Sequence, residues 1–272
     1  MITEDVNAPA TQTRSTIGRA VSVIDAVARS PHSSGVSSVA RETGLSKAVT
    51  HRILRELVAC QFLGFDEESK LYRLGPGALS IGLAAVRELD IPAVAHRHLA
   101  YLTERTGQTS TLSIRQGWSR VYADQVLSHH EIRMSVALGT THPLHAGSSS
   151  KAILAAMPDS EIADYIAHHR LDSVTEATIT SSSALWEDIA RIRELGYASS
   201  LGERQVAAAS VAAAVYGVTG QVVGSISVCG TKELFQSDER HLMGRAVARA
   251  AREVSADLGA GSLAPDSEED PT

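Results

Sequence analysis

Cysteine is scarce: Cys60 and Cys229 are the only two in 272 residues. That is too little for a disulfide framework or a cysteine-based zinc site, and it fits a reducing compartment. Long apolar runs are missing too. No stretch reaches the roughly 18 apolar residues that a membrane span requires, and the opening MITEDVNAPATQTRST has no apolar segment behind a basic start. The expectation is a cytoplasmic chain with neither export signal nor anchor. A basic excess is lacking as well, since 25 Lys and Arg stand against 31 Asp and Glu for a net charge of −6, which taken alone argues against a nucleic-acid partner. Metal-binding clusters are also wanting. The close pairs His96/His98, His129/His130 and His168/His169 have spacings that do not share a helix face. His142 and His145 flank Pro143-Leu144 and could converge, but no cysteine or carboxylate cluster stands beside them. Neither a metal nor a cofactor is expected. No G-x-S-x-G elbow occurs, so no catalytic residue is assigned, and Ser150 and Cys229 read as a helix-start residue and a small buried filler.

What is present is an ordinary globular composition, 43% hydrophobic and 21% charged, in a chain long enough for two domains. Charge is unevenly spread. Between Thr11 and Phe65 seven basic residues (Arg14, Arg19, Arg29, Arg41, Lys47, Arg52, Arg55) face three acidic ones, a local charge of +4, whereas Asp266, Glu268, Glu269 and Asp270 crowd the C-terminal tail. From Gly259 onward, and over the first dozen residues, the lack of periodic apolar residues predicts disorder.

Helical spacing begins at Ile17, with Val21, Ile24, Val27 and Ala28, and breaks at Ser30-Pro31. A short helix is predicted from Val36 to Thr43, then a tight turn at Gly44-Leu45, then a third helix with Ser46 as N-cap. Thr50, Ile53, Leu54 and Leu57 define its buried face; Lys47, His51, Arg52 and Arg55 lie opposite, and Val49 is expected to point outward. GFDEESKLYRLG reads as a hairpin, completing a winged helix-turn-helix. Such a unit takes affinity from cations on phosphates and specificity from side chains at the start of its recognition helix. The DNA-contacting candidates are therefore Ser46, Lys47, Val49, His51, Arg52 and Arg55, with Arg14, Arg19, Lys70 and Arg73 for phosphates. An outward Val49 would suit a thymine methyl group.

A helix from about Gly77 to Leu89 and a break at Asp90-Ile91-Pro92 mark a linker, followed by a helix ending near Thr106-Gly107. Strands are predicted at 109–116, 119–127, 133–138, 210–216 and 221–229, and helices at 148–157, 160–168, 184–195 and 237–258. This pattern predicts an α+β domain with a mainly antiparallel sheet. In 222–229 alternation sets Val223, Ser225, Ser227 and Cys229 on one face and Val222, Ile226 and Val228 on the other. The last helix repeats Leu242, Ala246, Val247, Ala250, Val254 and Leu258. The turn His145-Ala146-Gly147-Ser148-Ser149-Ser150 enters a helix whose free N–H groups favour an anion.

Three blocks in order, GLSKAVTHRILRELVACQFLGFDEESKLYRLG, PLHAGSSSKAILA, and GYASSLGERQVAAASVAAAVY with VVGSISVCG, resemble the IclR family of bacterial regulators from about Thr16 to Leu258. The chain departs from that pattern at Ala48, Val49, Ser150, Ala207 and Ala214. The resemblance implies a mainly α winged helix-turn-helix joined to a GAF-like effector-binding domain, acting as a homodimer or homotetramer. The organisation expected is 1–13 disordered, 14–75 winged helix-turn-helix, 76–90 linker helix, 91–258 effector-binding domain and 259–272 disordered acidic tail. Positions matching the family's effector contacts are Ser148, Ser149, Ser200, Ser210, Ser227 and Cys229, with Met134 and His142 towards an apolar rim. Hydroxyls converging without a cation of the pocket's own suggest a small organic or aromatic acid held by neutral donors. The function expected is a ligand-responsive regulator, a repressor of catabolic genes on a near-palindromic operator. The alternatives are a hydrolase-like enzyme using a serine and His145, or a DNA-binding protein whose second domain only oligomerises.

Overall fold

A computed structural model describes residues 15–30, 33–88 and 90–260. Arg14, Pro31, the expected disordered stretch 1–13 and residues 261–272 of the expected disordered tail 259–272 lie outside the described residues. The chain divides into two units, Met1–Glu88 and Leu89–Thr272.

In the first unit α1 (Thr16–Arg29), α2 (Val36–Thr43) and α3 (Lys47–Ala59) precede a hairpin of β1 (Leu63–Asp66) and β2 (Leu71–Leu74), and α4 (Pro76–Glu88) follows. Gly44 ends α2 at φ 68°, the left-handed region where glycine carries no Cβ penalty. Ser46 then caps α3, its Oγ accepting from Val49 N at 3.4 Å. The core is Val23, Val27, Val39, Ile53, Leu54, Leu63 and Tyr72. Asp66 Oδ1 accepts from the backbone N–H groups of Glu68 and Ser69 and from the Ser69 hydroxyl, and so shapes the hairpin tip.

The second unit contains α5 (Ile91–Thr106), β3 (Thr109–Gln116), β4 (Ser119–Val126), β5 (Thr141–Pro143), α6 (Ser148–Ala155), α7 (Asp159–His168), α8 (Ser182–Leu195), β6 (Ala198–Leu201), β7 (Ala208–Tyr216), β8 (Val222–Thr231) and α9 (Ser237–Asp257). The strands form one antiparallel sheet in the order β5-β4-β3-β8-β7-β6. Helices cover both faces. Leu99, Leu102, Ile226, Val228, Val247 and Val254 pack between one face and α5 and α9, while Leu144, Ile153, Tyr165, Leu185, Ile189 and Ala212 fill the core between the other face and α6–α8. Each buried aliphatic side chain contributes about 1.5–3 kcal/mol.

Four expectations are corrected. Segment 133–138 is not a strand: the Gln125 side chain accepts from Val136 N at 3.0 Å and donates to Val136 O at 2.9 Å, replacing ladder bonds. Val222 does not share a face with Ile226 and Val228. Pairing passes from Val215↔Gly224 to Tyr216↔Val222, so Val223 is an extra residue, and this bulge turns Val222 into the α6–α8 core and Val223 towards the α5–α9 core. Leu242 is 59% exposed because Met243, at the edge of that stripe, turns to the core instead. Val49 is half-buried against the first unit's core rather than outward, since the buried arc of α3 is wider than Thr50, Ile53 and Leu54 alone.

Candidate functional site

The exposed face of α3 is cationic. Lys47, His51, Arg52 and Arg55 are all exposed, and the first acidic residue of the helix is Glu56. Ser46 is committed to the cap. Val49, turned partly into the core, offers less surface than expected. Arg19 is half-buried on α1, and Arg73 is exposed on β2. Lys70 sits at φ 58° at the hairpin tip with Nζ 3.1 Å from Glu67 Oε2, so its charge is locally matched.

In the second unit a cavity of about 260 Å³ lies against the start of α6. Met134, His142, Ser148, Ser149, Ser200, Ser210, Ser227 and Cys229, the eight positions singled out from the resemblance, all line it. The register explains much of this: Ser200 pairs with Ser210, Ser210 with Cys229, and Thr111 with Ser227 across neighbouring strands. Hydroxyls are already coupled in twos, Ser148 with Ser210 and Thr111 with Ser227, each at 2.7 Å. In such a pair one hydroxyl donates and the other keeps a free proton, so each pair retains a donor.

The expectation that no cation is built in is overturned. Arg120 and Arg204 both line the cavity. Arg120 is 1% exposed and donates from Nε to Ser150 Oγ (2.7 Å), from Nη1 to Ser113 Oγ (2.9 Å) and from Nη2 to Tyr122 Oη (3.2 Å). Ser150, a departure from the family pattern, is thus an acceptor for this guanidinium. Arg204 donates from Nη1 to Tyr122 Oη (2.7 Å) and from Nη2 to His142 Nε2 (2.9 Å). His142 therefore belongs to a polar wall rather than an apolar rim. Burial, then Arg204, then Arg120 push its pKa down to about 4, so the ring is neutral and accepts. Burial first, and Arg204 among the lesser causes, lowers the pKa of Arg120. Burial pushes the Cys229 thiol up to about 12, which makes it a filler rather than a nucleophile.

Arg120 and Tyr122 alternate on β4, and a period-two signal was available. It could not show that this face is covered. The other missed residue, Arg204, comes from the loop after β6, where no periodicity guides a reading.

The serine–His145 alternative fails on geometry. His145 Nε2 donates to Asp172 O at 3.0 Å and Nδ1 accepts from Tyr165 Oη at 3.0 Å, while that phenol oxygen accepts from Leu144 N. Both ring nitrogens are occupied, so the ring cannot act as a base for a serine. Among the described residues no three His, Cys, Asp or Glu side chains are grouped to hold a metal, and no helix is long and apolar enough to cross a membrane.

Comparison with known proteins agrees with both halves of this description. The family profile for the IclR helix-turn-helix domain matches residues 16–67, and that for the bacterial transcriptional regulator IclR C-terminal domain matches residues 83–256. The HTH-type transcriptional repressor AllR of Escherichia coli K12 is 30% identical over 241 residues, 89% of either chain. An IclR transcriptional regulator from Silicibacter sp. superposes with a TM-score of 0.81 at 25% identity, covering 92% of this chain and 98% of the other. The Thermotoga maritima IclR gives 0.61 at 27% identity, covering 90% and 98%. The chain belongs to the IclR family and is a DNA-binding transcriptional regulator.

Proposed function

We propose that this regulator is ligand-responsive: a small organic acid enters the cavity at the start of α6 and changes the occupancy of an operator read by α3. The observation that carries the reading is the cavity's charge. Two guanidiniums and the hydroxyls of Ser148, Ser210 and Ser227 line it, and among the described residues no Asp or Glu does. A cationic pocket of this kind favours an anionic guest. In the first unit Lys47, His51, Arg52 and Arg55 form the face offered to the major groove, and Arg19 and Arg73 are the phosphate contacts. Lys70 reaches phosphate only by leaving Glu67. Repression belongs to the same reading, supported by the repressor relatives, and so do catabolic target genes, a homodimer or homotetramer and a near-palindromic operator.

The test is footprinting of the DNA upstream of neighbouring genes by the full-length protein, with and without a panel of small carboxylic acids. Two protected half-sites about one helical turn apart, or a multiple of it, and acid-dependent occupancy are expected. Binding that no acid alters would favour a second domain that only oligomerises.

A further inference from the structure

Arg120 and Arg204 meet on one phenol oxygen. Their Nη atoms stand 3.2 and 2.7 Å from Tyr122 Oη, which holds those nitrogens less than about 6 Å apart. Both guanidiniums also lie over the Tyr122 ring, at 4.3 and 5.6 Å from its centroid. Like charges this close, one of them almost wholly buried, repel each other and have lost water; such an arrangement persists where an opposite charge completes it.

That charge is not supplied by the described residues. Neither arginine makes an ion pair among them: Ser113 and Ser150 offer hydroxyls, Tyr122 its phenol oxygen, and His142 a ring held neutral. Glu203, adjacent to Arg204 in sequence, is committed elsewhere: Oε1 accepts from Lys151 Nζ at 2.6 Å and Oε2 from Gly147 N at 2.9 Å. Donors remain in reserve. A guanidinium has five N–H groups, of which Arg120 uses three and Arg204 two in these contacts. A second donor set lines the same cavity, the hydroxyls of Ser148, Ser210 and Ser227, the last hydrogen-bonded to Thr111.

Two positive charges and two separate donor sets call for two negative groups. We infer that the pocket selects a short dicarboxylate, one carboxylate on the guanidinium pair and the other on the hydroxyl pairs, and that Arg204 is the residue setting the preference for two charges over one. This rests on the pocket being the effector site. The cavity, about 260 Å³, is at the small end for ligand sites and fits a short chain. Arg120, locked by three partners, serves as the fixed charge. Arg204 is half-buried and can be replaced with less risk to the fold.

The experiment is calorimetric titration of the full-length protein with succinate, glutarate and adipate, with the half-amide of each, and with inorganic phosphate. The best diacid is expected to bind at least about ten-fold tighter than its half-amide, the loss of one charge-assisted contact. In Arg204→Gln that ratio falls close to one, and in Arg204→Lys most of it survives. Thermal melting of each variant without ligand shows whether the fold is intact. Equal affinity for diacid and half-amide in the wild type, or an undiminished ratio in Arg204→Gln, overturns the inference while leaving the effector site standing. Phosphate binding tighter than every diacid overturns the assignment to carboxylates. No binding by any acid overturns the effector site and this inference together.

Discussion

Lys151 and Glu203 form a buried ion pair, Nζ to Oε1 at 2.6 Å with both side chains under a tenth exposed, and the same carboxylate holds Gly147 N at the entry to α6. Asp188 Oδ2 lies 2.7 Å from the same Nζ but without hydrogen-bond alignment, so it adds charge rather than a directed bond. Removing the ammonium leaves the buried Glu203 carboxylate beside that of Asp188, which keeps only Arg191 at 3.3 Å. Lys151→Met should therefore cost about 3–5 kcal/mol, the range for breaking one side of a buried pair, read by urea denaturation of the full chain. A loss under about 1 kcal/mol would mean that water reaches this network.

On α3, Arg52 and Lys47 carry exposed charge on the face opposite Thr50, Ile53 and Leu54. Arg52→Ala or Lys47→Ala should weaken operator binding at low salt by about 1 to 3 kcal/mol where a base contact is lost. A phosphate contact would instead weaken all sequences alike and flatten the salt dependence. Wild-type titration curves for both variants would place the reading surface elsewhere.

The first unit was legible because its boundaries are set by local chemistry: Gly44 must adopt the left-handed region, Ser46 must cap, and Thr50, Ile53 and Leu54 must turn inward. Asp90 and Gly107 bound α5 for the same reasons. The errors arose where tertiary partners decide. Gln125 replaces a ladder along 133–138, and one extra residue at Val223 reverses the face of Val222. The serines of the pocket could be located by resemblance, but its charge could not. Arg120 sits in a strand whose polar face looks solvated until α6 is laid across it, and Arg204 arrives from a loop after β6.

Cys60 is exposed and Cys229 is half-buried in the pocket wall with its thiol pushed up to about 12. Maleimide at neutral pH should label one thiol per native chain, Cys60, and two after denaturation, counted by mass spectrometry. Fast labelling of both in the native protein would show that the cavity opens far more widely than 260 Å³.

The pocket hydroxyls should matter to the effector. Ser227→Ala removes one member of the Thr111–Ser227 pair, and Ser210→Ala one of the Ser148–Ser210 pair, so a bound carboxylate loses a donor it cannot replace with water. Each variant should lose about 1 to 3 kcal/mol of acid affinity. The check is an operator-binding titration against the acid; an unchanged response in both variants would remove these hydroxyls from the site.

His142 supplies the pH dependence. Its pKa is held down to about 4, first by burial and then by the two guanidiniums, against 6.5 for a free ring. Between pH 6.5 and 4 the unfolded chain therefore binds more protons here than the folded one, so this group's contribution to stability is complete above about 6.5 and is lost as pH falls towards 4. An anion on Arg204 and Arg120 offsets two of the three causes and raises the ring's pKa. Binding then takes up protons, and affinity should rise as pH is lowered from 7 until about 5, where the carboxylates of the ligand begin to protonate. Ring-proton NMR of the full chain, with and without a saturating diacid, reads both values. A free-protein ring titrating near 6.5 would show that the guanidiniums do not face it in solution, and a pKa that stays near 4 with ligand bound would show that the anion sits away from them.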